Sequence, residues 1–410
     1  MSETHCEAPQ QGPLQTVVVE PVMGVPVMSD DGHAIVPRSE GARPQAHHLF
    51  VLSQHGSHGW PDQLLPVRDA LMSDPRVGAT PSSPTGAFTT TDVTYWHTDV
   101  NTKLKSDAGT IVCGARLLDK LLTRLSQWVV EKKSSDADCT HHFYFSCVAH
   151  SFGGVLLREI LPDLLRDPLV VVNRIKLVTF ASIASPHCGA SDLNPAFRLG
   201  GWVIGKVWSQ TYQDLLLHND VISRRLLDVE HINGFKQFAH RELYGNLRGD
   251  LLVSFETSSL IYNRQEVTAI QADAAERAAA KKRFQSESEY EAEQAASSST
   301  TANPYPHIMP HITLTPSNLG AQGEQRPAIG NWTGSSGGHS AALSPKDIAH
   351  RLRAEMEFTV WPMRHHIPAF SHTAAVGKAR FGVTMDDVPR HVAMRIMTQF
   401  LEAVAATPSA

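Results

Sequence analysis

The segment "HHFYFSCVAHSFGGVLLREIL" joins an aromatic and β-branched run to an apolar run with helical spacing through a turn of small residues. The stretch "FYFSCVA" has the composition of a buried strand, and "GGVLLREIL" has the pattern of a helix. Small residues at this junction let the two backbones approach closely. The chain must therefore fold so that a strand turns directly into a helix, with Ser151 at the apex of the turn.

Strand-like and helix-like segments alternate along much of the remaining chain. The other strand candidates are "HHLFVLSQ", "VTYWHTDVN", "IKLVTFASIAS", "RELYGN" and "EFTVWPM". The clearest helix candidates are "AGTIVCGARLLDKLLTRLSQWVVEKK", "TYQDLLLHNDVISRRLLDV" and "DDVPRHVAMRIMTQFLEAVAA". Because this alternation is typical of parallel strands joined by helices, it predicts an α/β fold with a mostly parallel central sheet flanked by helices.

Two regions lack this pattern. Residues 1–45 are rich in Pro, Gly and Gln and are predicted to form a flexible N-terminal arm. Residues 263–345 are rich in Ala, Ser, Glu and Gly, and their composition predicts a long low-complexity insertion whose first part could be a solvated helix. The compact domain is therefore expected to comprise residues 46–262 and 346–406.

Composition and charge exclude several classes of function. The net charge of -5 gives no basic footprint for nucleic acid. The five scattered cysteines, without a C-x-x-C pair, favour reduced thiols in a cytoplasmic protein over a disulfide framework or a zinc site. The N-terminus lacks the pattern of a secretory signal, and no apolar run is long enough to span a bilayer. We expect a soluble protein without a cofactor, with peripheral membrane contact left open.

The turn at Ser151 is a near match to the Gly-x-Ser-x-Gly nucleophile elbow, with Ala149 in the first glycine position. A close-packed turn with an idle serine is the alternative interpretation. Directly after an early strand, His55-Gly56-Ser57 stands where this fold builds half of an oxyanion hole. We expect the N–H groups of Phe152 and Ser57 to form that hole. The alternative for this second motif is a glycine-rich loop with solvated histidines.

A catalytic serine of this kind needs an acid further along the chain. Asp250 follows a late strand, in "YGNLRGDLLVSFETSS", and is the preferred candidate. The other downstream aspartates considered are Asp192, Asp214 and Asp220. Asp214 and Asp220 lie in a helical stretch, where charged residues usually form a solvated face.

The general base should be a histidine beyond the end of the final strand. His372 lies in a loop after that strand, in "FSHTAAVGK". His365 and His366 stand at the end of the strand itself and are the alternatives. In a chain with 22 histidines, position after the strand is the useful criterion.

A family resemblance adds to this interpretation. Its segments are "HLFVLSQHGSHGWPDQL", "NTKLKSDAGTIVCGARLLDKL", "FSCVAHSFGGVLLREIL", "FASIASPHCGASD", "RELYGNLRGDLLVSFETSSLI" and "FSHTAAVGK". In this order they resemble the putative serine esterases called domain of unknown function 676, which are lipase-like α/β-hydrolases. The resemblance covers about Ala46–Tyr262 and Lys346–Ala405. It implies Ser151 as nucleophile, Asp250 as acid and His372 as base.

The residues and the resemblance together predict a serine hydrolase that cleaves carboxylic esters, of lipid or acyl type, through an acyl-enzyme. An acyl-protein thioesterase would use the same three residues. A catalytically silent binding protein that keeps the α/β-hydrolase fold is the other alternative. The expected partner is the ester or lipid substrate, and no obligate protein partner is evident.

Overall fold

The computed structural model describes residues 44–78, 89–135, 137–191, 209–282, 304–317, 343–365, 371–377 and 384–407. The chain divides into two units, Met1–Ala42 and Arg43–Ala410, and the described residues belong to the second. The predicted N-terminal arm up to residue 43 lies outside the described residues, as do Asp192 and His366.

Seven strands form one sheet. They are β1 (Gln45–Gln54), β2 (Thr89–His97), β3 (Thr140–His150), β4 (Lys176–Ile183), β5 (His240–Asn246), β6 (Ile312–Leu314) and β7 (Phe358–Met363). Their order is β2-β1-β3-β4-β5-β7-β6, and every neighbouring pair is parallel except β6 and β7. The predicted α/β-hydrolase fold, with a mostly parallel sheet, is confirmed.

Helices connect the strands. They are α1 (Leu65–Met72), α2 (Thr110–Ser135), α3 (Phe152–Arg166), α4 (Pro168–Val172), α5 (Gln210–Leu215), α6 (Asp220–Ser223), α7 (Val229–Lys236), α8 (Phe255–Ser259), α9 (Arg264–Lys282), α10 (Pro345–Glu355), α11 (Ser371–Ala374) and α12 (Asp387–Ala405). Short 3₁₀ helices span Pro61–Leu64, Lys103–Ala108 and Arg225–Leu227. Among the described residues, no helix is both long enough and apolar enough to cross a bilayer.

Both faces of the sheet are buried, which explains why the centre of β1, residues 49–52, is apolar without alternation. Successive side chains of a strand point to opposite faces. Phe50 and Leu52 belong to the same apolar cluster as residues of α2 and α3. Leu49 and Val51 belong to a second cluster, together with residues of α1 and α12. The sheet is therefore the middle layer of three and holds its loops on a rigid frame.

The segment 263–345, expected to be one insertion without a core, contributes to this frame. β6 pairs with the edge of β7, and a further bridge joins Ile308 to Met363. Ile308, Met309 and Leu314 are buried. The short apolar run "HIMPHITL" therefore forms part of the fold because β7 supplies both backbone partners and apolar surface. The first part of the segment forms α9, as the sequence allowed.

Candidate active site

Ser151 occupies a tight turn between β3 and α3 at the carboxyl edge of the sheet. Its backbone has φ 54° and ψ -130°, in a region that residues other than glycine rarely adopt. The Ser151 N–H donates to the Ile183 carbonyl at 2.9 Å, which fixes the turn against the end of β4. Strain of this kind persists only where the surroundings enforce it. The turn leaves Ser151 partly exposed, although its neighbours His150 and Phe152 are buried.

The small residues around Ser151 are required by close contacts. A Cβ on Gly153 would lie 2.5 Å from the Gln54 carbonyl oxygen, so α3 begins directly against the end of β1. A Cβ on Gly56 would lie 2.8 Å from Ser151 Cβ and 3.3 Å from its Oγ. The His55-Gly56-Ser57 loop therefore lies against the serine at Gly56, as expected for the predicted oxyanion loop.

The two N–H groups expected to form the oxyanion hole belong to Phe152 and Ser57. Phe152 is the first residue of α3, so its N–H has no acceptor within the helix. The Ser57 loop is braced by Ser106, whose Oγ accepts from His58 N at 2.9 Å and lies 3.3 Å from Ser57 Oγ. Within the described residues, neither the Phe152 N–H nor the Ser57 N–H donates to a protein acceptor.

Asp250 and His372 form a buried hydrogen-bonded pair. His372 Nδ1 lies 2.8 Å from Asp250 Oδ2, and the side chains are 8% and 1% exposed. The other acceptor sites of Asp250 bind Asn246 Nδ2 and the N–H groups of Leu252 and Val253. Because an ionised carboxylate only accepts, His372 must carry its proton on Nδ1. Its Nε2 is therefore the atom that can take a proton from a nucleophile.

The surroundings of Asp250 favour its charged form. Burial raises the pKa of the carboxyl, but the charge and hydrogen bond of His372, with the bonds from Asn246 and Val253, outweigh it. The net pKa of Asp250 is below its ordinary value. Asp250 is thus an anion that can stabilise a positive charge on His372.

His372 lies beside the elbow that carries Ser151. Its backbone carbonyl oxygen is 2.8 Å from Nε2 of His150, the residue before Ser151, and the two imidazole centroids are 4.5 Å apart. Both Ser151 and His372 are described residues, and no hydrogen bond joins Ser151 Oγ to the His372 ring. Such bonds are often long in active sites without substrate and shorten when substrate binds. The structure therefore brings all three predicted residues to one edge of the sheet.

The alternative histidines differ in their surroundings. The ring of His365 stacks on that of His307, with centroids 5.7 Å apart, and it is buried there. His366 lies outside the described residues. His372, by contrast, has a buried carboxylate partner at the carboxyl edge of the sheet.

The alternative aspartates that the structure describes make contacts away from Ser151. Asp214, expected on a solvated face, is buried and accepts from the Thr110 N–H at 2.6 Å. That expectation was wrong because the Asp214 carboxylate accepts from a backbone N–H in the first turn of α2, which has no acceptor within the helix. A negative charge there also interacts favourably with the helix dipole. Asp220 is half exposed and lies 3.4 Å from Arg224. Asp192 lies outside the described residues.

Several residues that support the site were missed by the sequence analysis. Gln54 donates to the His55 carbonyl at 3.0 Å, and Gln63 accepts from the Gly56 N–H at 3.4 Å. Ser106 braces the same loop from a distant part of the chain. Only His150 had a local signal, since it stands inside the elbow motif. The other contacts depend on tertiary packing and have no sequence pattern.

With this geometry in view, comparison with known proteins gives the family. Residues 43–260, just over half of the chain, match the family model described as "Putative serine esterase (DUF676)". The chain belongs to this family. The match includes the elbow and Asp250, whereas His372 lies beyond it.

A curated relative is described as "Putative lipase ROG1" from Saccharomyces cerevisiae. It is 28% identical over 148 residues, which are 34% of this chain and 20% of the relative, so the match spans about a fifth of that protein's length.

Two solved structures illustrate the structural likeness. Phospholipase PlaB from Legionella pneumophila, in complex with thio-NAD, is 14% identical with a TM-score of 0.28, covering 49% of this chain and 38% of that one. The RedJ thioesterase of prodiginine biosynthesis in Streptomyces coelicolor is 14% identical with a TM-score of 0.24, covering 54% and 77%. At these values the likeness carries no argument about activity.

Proposed function

We propose that this chain is a serine hydrolase that cleaves carboxylic esters of lipid or acyl type, with Ser151 as nucleophile, His372 as base and Asp250 as the orienting acid. The observation that carries the proposal is the 2.8 Å bond between His372 Nδ1 and Asp250 Oδ2, made beside the strained turn at Ser151. Membership of a serine esterase family supports it.

In the first step, Ser151 Oγ forms a bond to the acyl carbonyl carbon while its proton passes to His372 Nε2. The carbonyl π electrons move to oxygen. The N–H groups of Phe152 and Ser57 donate to that oxyanion, where fixed donors lower the barrier most. Asp250 stays ionised and stabilises the imidazolium without taking the proton.

In the second step, the bond between the acyl carbon and the alcohol oxygen breaks. The proton on His372 Nε2 goes to the departing alcohol, and the acyl group remains on Ser151. Water then attacks the acyl carbon while one of its protons passes to the same Nε2. The bond between the acyl carbon and Ser151 Oγ breaks, the proton returns from Nε2 to Oγ, and the carboxylic acid leaves. The cycle uses two successive acyl transfers and needs no electron donor or acceptor.

Labelling with a fluorophosphonate tests the proposal directly, because the probe reacts only with an activated serine. We expect the wild-type chain to be labelled and to hydrolyse a short-chain p-nitrophenyl ester, and Ser151→Ala to do neither while remaining folded. Ser73→Ala, at the exposed end of α1, is the matched control and should behave as wild type. A wild-type chain that neither labels nor turns over ester would instead be a catalytically silent binding protein.

The choice between ester and thioester needs a second assay. Oxygen and sulfur esters of the same acyl chain should be compared by kcat/KM, which measures transition-state stabilisation for each leaving group. A large preference for the thioester, lost in Ser151→Ala, would replace the proposed esterase by an acyl thioesterase with the same catalytic residues.

A further inference from the structure

One buried side chain links the elbow to the segment that carries the proposed base. His150 is the last residue of β3 and is 1% exposed. Its Nε2 is 2.8 Å from the backbone carbonyl oxygen of His372, a residue 222 positions further along the chain. The rings of the two histidines are 4.5 Å apart, at an angle of 48°. The strand that delivers Ser151 is thereby joined to α11.

The direction of this hydrogen bond fixes the tautomer of His150. A carbonyl oxygen only accepts, so Nε2 must carry the proton and Nδ1 must be bare. Nδ1 is buried and has no hydrogen-bond partner among the described residues. Burying an unpaired polar atom costs stability that an apolar side chain would avoid. The bond made by Nε2 is therefore the contact that distinguishes histidine from an apolar residue here.

The same side chain is kept neutral. Burial, with a smaller contribution from His372, lowers the pKa of His150 to about 3. The titratable groups that face it are His372, Asp250 and His55, and only the carboxylate of Asp250 opposes the shift by charge. His150 therefore remains a donor near neutral pH. It also adds no second positive charge next to the imidazolium that forms on His372 during turnover.

His372 is consequently fixed at two points. Its ring is bound through Nδ1 to Asp250, and its main chain is bound through the carbonyl oxygen to His150. The first bond sets the tautomer and the direction of the ring. The second bond ties the main chain of the four-residue helix α11 at His372 itself, whereas its other anchors, the buried Ala374 and its carbonyl bond from the Met385 N–H, lie two residues further along.

We propose that His150 is a positioning residue, whose Nε2–H holds the main chain of His372 so that the imidazole stays beside Ser151 while it binds Asp250. This inference rests on the proposed function for its catalytic consequence. The hydrogen bond from His150 Nε2 to the His372 carbonyl, called the tether below, is itself a property of the fold.

The test compares His150→Leu with His150→Gln, since the glutamine amide nitrogen can reach the position of Nε2 and donate to the same carbonyl. Misplacing a catalytic group by about 1 Å can cost on the order of 10² in rate. We expect His150→Leu to lower kcat by about that factor with KM changed less than about threefold. His150→Gln should stay within about fivefold of wild type.

His391→Leu is the matched control. His391, on α12, is also buried, and its Nδ1 is 2.9 Å from the hydroxyl of Tyr244 on β5. Its loss should lower the melting temperature and leave kcat of the folded enzyme unchanged. A wild-type kcat in His150→Leu, or a loss in His150→Gln as large as in His150→Leu, would overturn the inference.

Hydrogen exchange separates this inference from the proposed function. The peptide that contains His372 should exchange faster in His150→Leu than in wild type, and at the wild-type rate in His150→Gln, whatever the activity. If that pattern holds in a chain that hydrolyses nothing, the tether stands and the proposed function fails. If exchange near His372 is unchanged in His150→Leu, the tether is wrong even where turnover falls.

Discussion

Strand β3 carries histidines at both ends of the sheet, and β1 carries two more beside it at the amino end. At the amino end His47 and His142 are register partners, and their rings stack with centroids 4.7 Å apart. At the carboxyl end His150 packs against His372. His47 at one end and His150 and His372 at the other are similarly buried, and their difference lies in the partners.

At the amino end the partner of His47 is neutral, whereas the neighbouring His48 has its Nδ1 3.7 Å from Oδ2 of the partly exposed Asp92. His47 Nδ1 is 2.9 Å from the hydroxyl of Tyr144, and His48 Nε2 is 3.0 Å from His141 Nδ1. Burial, followed by the charge of His142, lowers the pKa of His47 to about 4. At the carboxyl end, by contrast, His372 meets a buried carboxylate. Burial without a carboxylate, as at His47, disfavours a protonated imidazole, and in the proposed mechanism the paired Asp250 is what would allow one to form on His372.

Removing His372 should lower activity, whereas removing the histidine at the amino end should not. We expect His372→Ala to lower kcat/KM for a p-nitrophenyl ester by a factor on the order of 10³ or more, because triad members act as a unit. His47→Ala should leave kcat/KM of the folded protein unchanged, and His365→Ala should have a mild effect. A large loss in His365→Ala together with an active His372→Ala would mean that the base is misassigned, although the reaction class would survive.

A smaller loss is expected from crowding the serine. In Gly56→Ala the new methyl group would lie 2.8 Å from Ser151 Cβ, so the oxyanion loop or the elbow must shift. We expect kcat to fall by about 10², measured by steady-state kinetics. Gly234→Ala, whose new Cβ would lie 3.0 Å from Leu161 Cβ in the helical layer, is the control and should affect stability alone. Equal kinetics for both variants would contradict the proposed role of the loop.

The buried His47, at the amino end of the sheet, should make the stability of the protein fall in acid. The folded pKa of His47 is about 4, below its ordinary value of 6.5, so between these values the unfolded chain binds more protons. Stability is therefore complete above pH 6.5 and falls as the pH drops towards 4. After allowance for solvent screening, we expect a contribution on the order of 1–2 kcal/mol. Urea unfolding at pH 7 and pH 4.5 should show a smaller loss in His47→Gln than in wild type, and an identical loss would refute this account.

Local patterns predicted most of the fold. The strand, turn and helix around Ser151 are encoded within some twenty residues, so composition and spacing were sufficient. β6 was missed because three residues are too few to show the alternation by which a strand is recognised, and they lie inside a low-complexity segment. Asp214 was misread for a related reason. Its partner, the N-terminus of α2, lies more than a hundred residues earlier, and helical spacing carries no information about such a contact.

The candidate site was predictable as a set of residue types in order. The order along the chain and the family resemblance proposed Ser151, Asp250 and His372, and these roles remain predictions. What no local pattern could supply is the distance between groups: Asp250 and His372 are 122 positions apart, and His150 and His372 are 222 apart. Contacts of this kind arise only when the sheet brings the ends of its parallel strands to one edge.

The short strand β6 has a practical consequence for anyone who shortens this chain. It gives β7 a hydrogen-bonded neighbour on its outer side, where "FTVWPM" would otherwise present unpaired backbone groups and apolar side chains. Open edges of that kind recruit strands from other molecules and lead to aggregation. A truncated version that removes all of residues 263–345 should therefore precipitate, whereas one that keeps residues 304–317 should remain dispersed at the same concentration.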